Sequence, residues 1–227
     1  MINFETGEAV NMILADSTIF RLGLIQGLTE GALQTFVFLW SPYLLQISSK
    51  MYDSSCKVTL NKFTRFGLDK QGLPAFGLIF GSFMLFGALG GLAEPVARKI
   101  ITKWTRPLLH LFIRKRNGPN SSNNDQHFLP DEIFVKILCT MCFAVCTLLL
   151  SLSALILKTD YCAQLALPLS LISFLLYEFL VGMYMPCEGL QRSWHMPNQS
   201  ICSLMTILRV IVNLAVALGV ASTNYFS

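Results

Sequence analysis

Residues 133–157 of the chain read IFVKILCTMCFAVCTLLLSLSALIL, and this stretch decides the fold class. It contains one charged side chain, Lys136, among 25 residues. About 20 consecutive apolar residues in a helix cross the hydrocarbon core of a bilayer, which is about 30 Å thick. The stretch therefore predicts a membrane-spanning helix.

The rest of the chain has the same character. Of its 227 residues, 53% are hydrophobic and 13% are charged, and the mean hydropathy is +0.56. A soluble globular domain carries about a quarter charged residues. We therefore predict an all-α, polytopic membrane bundle of about five spans, with windows at residues 22–47, 73–93, 133–157, 163–186 and 201–220.

Charge distribution predicts the orientation. The first 16 residues contain acids and no base, the reverse of a secretory signal peptide. The second connection carries seven basic residues and four acids. Because cytoplasmic loops are rich in Lys and Arg, we predict that this connection is cytoplasmic. The N-terminus is then cytosolic and the C-terminus lies outside. The predicted segments are a cytosolic 1–20, two spans in 21–93, a basic and flexible cytosolic loop in 94–132, and three spans in 133–227.

Two glycosylation sequons begin at Asn120 and Asn198. Both fall in segments predicted to be cytosolic, so we interpret them as chance matches. Asn120 lies in a polar tract, residues 117–126, with the composition of a disordered tether. The net charge of +4 reflects the basic loops, and no nucleic-acid partner is expected.

Three of the seven cysteines, Cys139, Cys142 and Cys146, share one face of a predicted helix. This spacing suits either a metal site or close packing by small side chains. We favour packing, because no His, Asp or Glu adjoins them in sequence. No metal, cofactor or disulfide framework is predicted. No catalytic constellation occurs within the spans, so an enzyme is not expected.

Polar residues interrupt the first span at a helical repeat. Gln26, Glu30 and Gln34 recur every four residues and share one face. Glycines at positions 23, 27 and 31 follow the same repeat on an adjacent face. The polar face suits either a cavity-lining helix or a buried hydrogen-bond cluster between helices. We also expect Pro42 to bend or break the end of this helix.

Two later spans carry Glu178 and the pair Arg209 and Asn213, which are four residues apart. Charges inside a span are costly and normally face protein or water. Arg209 suits either a static ion pair with Glu30 or Glu178, or hydrogen-bond donation to an oxyanion. In the second case, an acid such as Glu30 is a candidate carrier of a coupling proton.

Residues 90–99, GGLAEPVARK, resemble the loop motif of the major facilitator superfamily. Gly90, Arg98 and Lys99 match it, as do Leu92 and Ala93, and Glu94 replaces an Asp; Pro95 and Ala97 depart from the motif. The resemblance implies that Gly90, Glu94, Arg98 and Lys99 influence the balance between inward-open and outward-open states.

Longer segments resemble the molybdate-anion transporter family within that superfamily. Residues 22–31 with 36–42 resemble its seventh helix, residues 77–84 its eighth, and residues 174–213 its tenth and eleventh. Ile201 and Ile211 stand where that family has Arg and Pro. The resemblance implies most of the C-terminal half of a major facilitator fold, with the N-terminal half or a second chain as partner.

The expected function is therefore transport of molybdate or a similar oxyanion across the cell membrane by alternating access. The alternative is a truncated, non-transporting membrane protein that associates with or modulates a full-length transporter. The predicted path residues are Gln26, Glu30, Gln34, Glu178, Arg209 and Asn213, and the other expected partner is the lipid bilayer.

Overall fold

The computed structural model describes residue 11 and residues 15–53, 67–69, 72–117, 131–158, 163–195 and 201–223. These residues form long α-helices, and apart from one bridge between Leu68 and Pro74 they contain no β-pairing. The predicted all-α bundle is confirmed. The helices are α1 (Ser17–Asp53), α2 (Phe76–Asn117), α3 (Asp131–Lys158), α4 (Ala163–His195) and α5 (Ile201–Thr223).

Asp16 precedes the first apolar run, a position that predicts a helix cap for this residue type, and its side chain does cap the start of α1. Asp16 Oδ1 accepts a hydrogen bond of 2.7 Å from the Thr18 backbone N–H. The Asp16 carbonyl accepts the first helical bond, 3.1 Å from the Phe20 N–H. This cap satisfies an N–H group that the helix leaves unpaired, and the bond lowers the pKa of the Asp16 carboxyl.

Prolines lie inside these helices without ending them. Pro42 does not break α1, which continues to Asp53, and Pro95 and Pro107 lie within α2. In lipid there is no water to bond exposed backbone groups, so the chain stays helical on both sides of a proline. The basic part of the second connection is accordingly a continuation of α2. Most of the polar tract 117–126, and both sequons, lie outside the described residues.

Within the described ranges, four helices are long and apolar enough to cross a membrane: Ser17–Lys50, Phe76–Pro107, Asp131–Lys158 and Leu165–His195. The fifth helix is also apolar, although its described apolar part, Met205–Gly219, is shorter. Large hydrophobic side chains cover the outer faces, with Leu78 70% and Leu148 68% exposed. Such surfaces suit lipid and not water.

The chain divides into two compact units, Met1–Asp53 with Gly189–Ser227, and Ser54–Glu188. In the first unit, α1 packs against α5. A methyl carbon at Gly31 would lie 2.7 Å from Ala215 Cβ, and one at Gly219 would lie 2.2 Å from Thr35 Oγ1. The contacting residue numbers rise together, so the two helices run parallel. The predicted glycine face therefore brings a neighbouring helix close at Gly31.

In the second unit, α3 and α4 form the antiparallel hairpin that their short connection predicts. Cys142 Sγ lies 4.0 Å from Met183 Sδ, and the rings of Phe143 and Tyr184 lie 4.9 Å apart. The turn before α2 packs on α4 through Gly67, whose φ is 85°. A methyl carbon there would lie 2.5 Å from Leu171 Cδ1, so both conformation and space favour glycine.

Candidate functional site

The polar face of α1 contains a hydrogen-bonded pair. Gln26 Nε2 donates to Glu30 Oε1 over 2.9 Å, and Gln26 is only 7% exposed. The Glu30 carboxylate can only accept a hydrogen bond, so it binds the NH₂ group of the Gln26 amide. The oxygen of that amide is therefore directed away from Glu30. That oxygen, Gln26 Oε1, is buried and has no hydrogen-bond partner among the described residues. A buried acceptor without a donor is costly, so this position suits water or a proton-bearing group.

Exposure increases along this face. Gln26 is buried, Glu30 is half-buried and Gln34 is exposed. The Thr29 hydroxyl is occupied by a bond to the Gln26 carbonyl, 3.0 Å away. The face therefore runs from the helix-packed interior of the first unit to an open surface, a gradient suited to the edge of a cavity.

The second polar pair lies on α5 in the same unit. Arg209 and Asn213 are both exposed. Arg209 forms no ion pair with Glu30, and its guanidinium makes no hydrogen bond to any described residue of this unit. The Arg209 guanidinium is therefore not held in a static ion pair with Glu30. An arginine on an apolar helix is stable only against protein or water, so this face of α5 needs a polar covering.

Glu178 lies in the second unit, where α4 crosses α2. Glu178 is 6% exposed, and a methyl carbon placed at Gly87 would lie 3.9 Å from Glu178 Oε2. Gly87 therefore leaves the space beside this carboxyl group. The sequence singled out Glu178 by its charge in an apolar run but gave no sign of Gly87.

Glycines bring the backbones of α2 and α4 together at this crossing. A methyl carbon at Gly90 would lie 1.9 Å from the Phe179 carbonyl oxygen, and one at Gly182 would lie 1.9 Å from the Gly87 carbonyl oxygen. Real side chains do not approach so closely, so both positions require glycine. Gly90 was predicted from the motif; Gly87 and Gly182 were not, although small residues three or four apart signal such contacts.

The acidic and basic residues of the motif form an ion pair one turn further along α2. Arg98 Nε lies 3.2 Å from Glu94 Oε1, and the Glu94 side chain is 6% exposed. The same oxygen lies 3.5 Å from Cys187 Sγ on α4. Lys99 is exposed. The motif residues thus lie on a continuous helix, with the glycine and the glutamate against α4.

The cysteine face of α3 packs as predicted. Cys139, Cys142 and Cys146 are all buried, and Cys142 Sγ lies 4.0 Å from Met183 Sδ on α4. Among the described residues, no group of three or more His, Cys, Asp and Glu side chains could hold a metal ion.

Long apolar helices with glutamine, glutamate and arginine side chains away from their ends define a polytopic membrane protein with polar groups inside its spans. Comparison with known proteins agrees with this class and with the family resemblance. A family model described as "Sugar-transporters, 12 TM" matches residues 2–53.

Two curated relatives are molybdate-anion transporters from frogs. The one from Xenopus laevis is 25% identical over 213 residues, which cover 94% of this chain and 35% of the relative. The one from Xenopus tropicalis is 24% identical and has 34% of its length covered. No solved structure matches the chain. The resemblance to molybdate-anion transporters is confirmed, and the chain spans about a third of the length of these relatives.

Proposed function

We propose that this chain forms part of a membrane transporter for an oxyanion such as molybdate, which works by alternating access without covalent chemistry. The observation that carries the proposal is the similarity to molybdate-anion transporters across 94% of the chain. The polar faces of α1 and α5 support it, because ionisable groups inside spans commonly mark solute and proton pathways.

In this proposal Arg209 and Asn213 supply hydrogen-bond donors to the oxyanion. The planar guanidinium offers two parallel N–H groups to a tetrahedral oxyanion, and its exposure leaves them available. Attraction between the two charges weakens sharply in water, so the site works best when the path closes and excludes solvent.

Glu30 is the proposed carrier of a coupling proton. When Glu30 is ionised, it accepts the bond from Gln26, and when it is protonated, it can donate to an oxygen. The buried Gln26 oxygen beside it has no hydrogen-bond donor in the described part of the chain. Gln34 and Glu178 are further proposed path residues, and Gly90, Glu94, Arg98 and Lys99 are proposed to influence the inward–outward balance.

Such a path needs a second wall. In transporters built from repeats, solute sites lie between the two repeats. We propose that the open polar face of α1 and α5 opposes a second bundle, supplied by a longer protein or by another chain. The cell membrane is the proposed location.

Labelled molybdate uptake tests this proposal in cells that express the chain together with the second bundle, supplied on the same polypeptide or on a co-expressed chain. We expect Arg209→Ala to abolish the uptake gained over empty-vector cells and Arg209→Lys to restore only part of it, since lysine keeps the charge but loses the planar fork. Arg21→Ala is the matched control, because Arg21 is exposed and bonds to Ser17 at the start of α1. Undiminished uptake by Arg209→Ala at normal surface expression contradicts the assigned role.

The exposed Arg209 face supports a second function, association with another transporter that this chain modulates without transporting. Cells that co-express a full-length molybdate-anion transporter distinguish the two. Modulation predicts no uptake by the chain alone, together with a change in the partner's uptake that Arg209→Ala reverses. Transport predicts uptake without the full-length transporter once the second bundle of the proposed path is supplied.

A further inference from the structure

The second half of α2 lines an open, strongly basic pocket. The cavity has a volume of about 780 Å³ and lies between α2 and the start of α3, within the second unit. Four of its eight lining residues are basic and one, Asp131, is acidic, which leaves a net charge of 4 − 1 = +3. The basic residues are Arg98, Lys99, Lys103 and Arg106.

These basic residues share one side of the helix. At 100° per residue, the α2 positions that line the pocket, apart from Pro107, fall within an arc of about 140°. Arg98 is held by Glu94, whereas Lys99, Lys103 and Arg106 form no hydrogen bond or ion pair with a described residue. Like charges so close together repel one another, so the pocket favours an anion that bonds to several of them.

The adjacent side of the same helix is apolar and open. Leu92, Val96 and Ile100 recur every four residues and are 76%, 59% and 53% exposed, and Trp104 continues the row at 74%. An exposed tryptophan at the end of an apolar row is typical of the membrane interface. The helix therefore presents an apolar face to lipid tails directly beside its basic face.

Helix length places the pocket at headgroup level. About 20 residues from Phe76, at 1.5 Å each, cross the hydrocarbon core, and this count ends near Pro95. The basic residues from Arg98 to Arg106 follow within about 16 Å, the region of the phosphate groups. The charge bias of the second connection predicts that this side faces the cytosol, where lipids are more anionic.

We propose that this pocket binds the headgroup of an anionic phospholipid, with the phosphate held by Lys99, Lys103 and Arg106 and the acyl chains along Leu92 and Val96, at the edge of the hydrocarbon core. This site is separate from the proposed solute path and does not depend on transport. Nothing about the oxyanion path requires a basic pocket joined to an exposed apolar row, whereas a phospholipid needs both.

The test is a titration of the purified full chain, in neutral detergent micelles, with phosphatidylserine and with phosphatidylcholine, followed by native mass spectrometry. We expect saturable binding of phosphatidylserine in preference to phosphatidylcholine. The variant Lys99→Gln/Lys103→Gln should weaken it about 25-fold, about fivefold for each charge removed. The matched control Lys50→Gln/Lys158→Gln removes equal charge at other helix ends and should bind as the unchanged chain does.

Each contrary outcome overturns the proposal. Equal losses in the two double variants mean general attraction to a basic protein, and equal binding of both lipids means no headgroup site. Inorganic phosphate or molybdate that displaces the lipid at comparable concentration means a site for free oxyanions. If the double variant does not fold, two other measurements test the same proposal. Lys103→Gln alone should weaken phosphatidylserine binding about fivefold, and binding by the unchanged chain should weaken as salt is added.

Discussion

At the scale of single residues, the membrane makes each polar side chain significant. Gln26 Nε2 donates to Glu30 Oε1 over 2.9 Å, and the buried Gln26 Oε1 has no donor among the described residues. Buried acceptors are normally satisfied by protein or by ordered water. The proposed proton-carrying role of Glu30, beside this oxygen, is therefore the residue-scale claim to test.

Replacing the Glu30 carboxyl group by an amide should remove the pH dependence of transport. Glu30→Gln keeps the shape and the bond to Gln26 but cannot take up or release a proton. We expect molybdate uptake that changes little between pH 5.5 and pH 7.5, measured in cells at equal surface expression.

Glu132→Gln is the control for this experiment. It makes the same chemical change on α3, where Glu132 pairs with Lys136 at the surface and contributes little. Uptake by Glu30→Gln with the same pH profile as Glu132→Gln would remove the proton-carrying role.

At the scale of helices, the contacts follow small residues. α2 and α4 run parallel and touch backbone to backbone at Gly87, Gly90 and Gly182. Hydrophobic attraction between helices is weak in lipid, so close backbone approach supplies much of the packing energy. The motif glycine Gly90 thus has a structural use at this crossing, in addition to any effect on conformational balance.

The crossing of α2 and α4 predicts different changes in thermal stability for two glycine-to-alanine substitutions on α2. Gly90→Ala places a methyl group 1.9 Å from a backbone oxygen, which no side-chain rotation relieves. Gly81→Ala meets nothing within 4 Å and gains about 1 kcal/mol of helix propensity. We expect Gly90→Ala to lower the midpoint of thermal unfolding in detergent by on the order of 5 °C.

Gly81→Ala should leave that midpoint unchanged or raise it slightly. Gly182→Ala approaches the same crossing from the other helix and should behave like Gly90→Ala. A Gly90→Ala protein as stable as Gly81→Ala would contradict the packing of α2 on α4.

At the scale of the whole molecule, the described helices leave large apolar and polar surfaces uncovered. The apolar surfaces suit lipid, whereas the exposed Arg209 and Asn213 do not. The chain spans about a third of the length of the molybdate-anion transporters that it resembles.

Orientation is a whole-molecule property that glycosylation tests. We expect an acceptor sequon on a spacer after Ser227 to be glycosylated in cells and one before Met1 to remain unmodified, because the basic second connection favours the cytosol. The natural sequons at Asn120 and Asn198 should carry no glycan. Glycan at Asn120, removed by Asn120→Gln, would reverse the orientation.

The sequence by itself determined the helical membrane class, the cap at Asp16 and the polar repeat at Gln26, Glu30 and Gln34. These features depend on local terms, the transfer of apolar residues into lipid and the geometry of one helix, so they can be read without neighbours. The expectation that Pro42 bends or breaks its helix is wrong for the break, because the surrounding backbone bonds have no water to replace them, and the bend stays a prediction.

Only the tertiary structure decided which residues meet. Gly87 and Gly182 touch, as do Glu94 and Cys187, although each pair lies more than 90 residues apart in sequence. The basic pocket likewise needs α2 and the start of α3 together. Such pairings are set by the packing of whole helices, which depends on all of their contacts at once, so a spacing of small residues can mark a contact surface but does not name the partner residue.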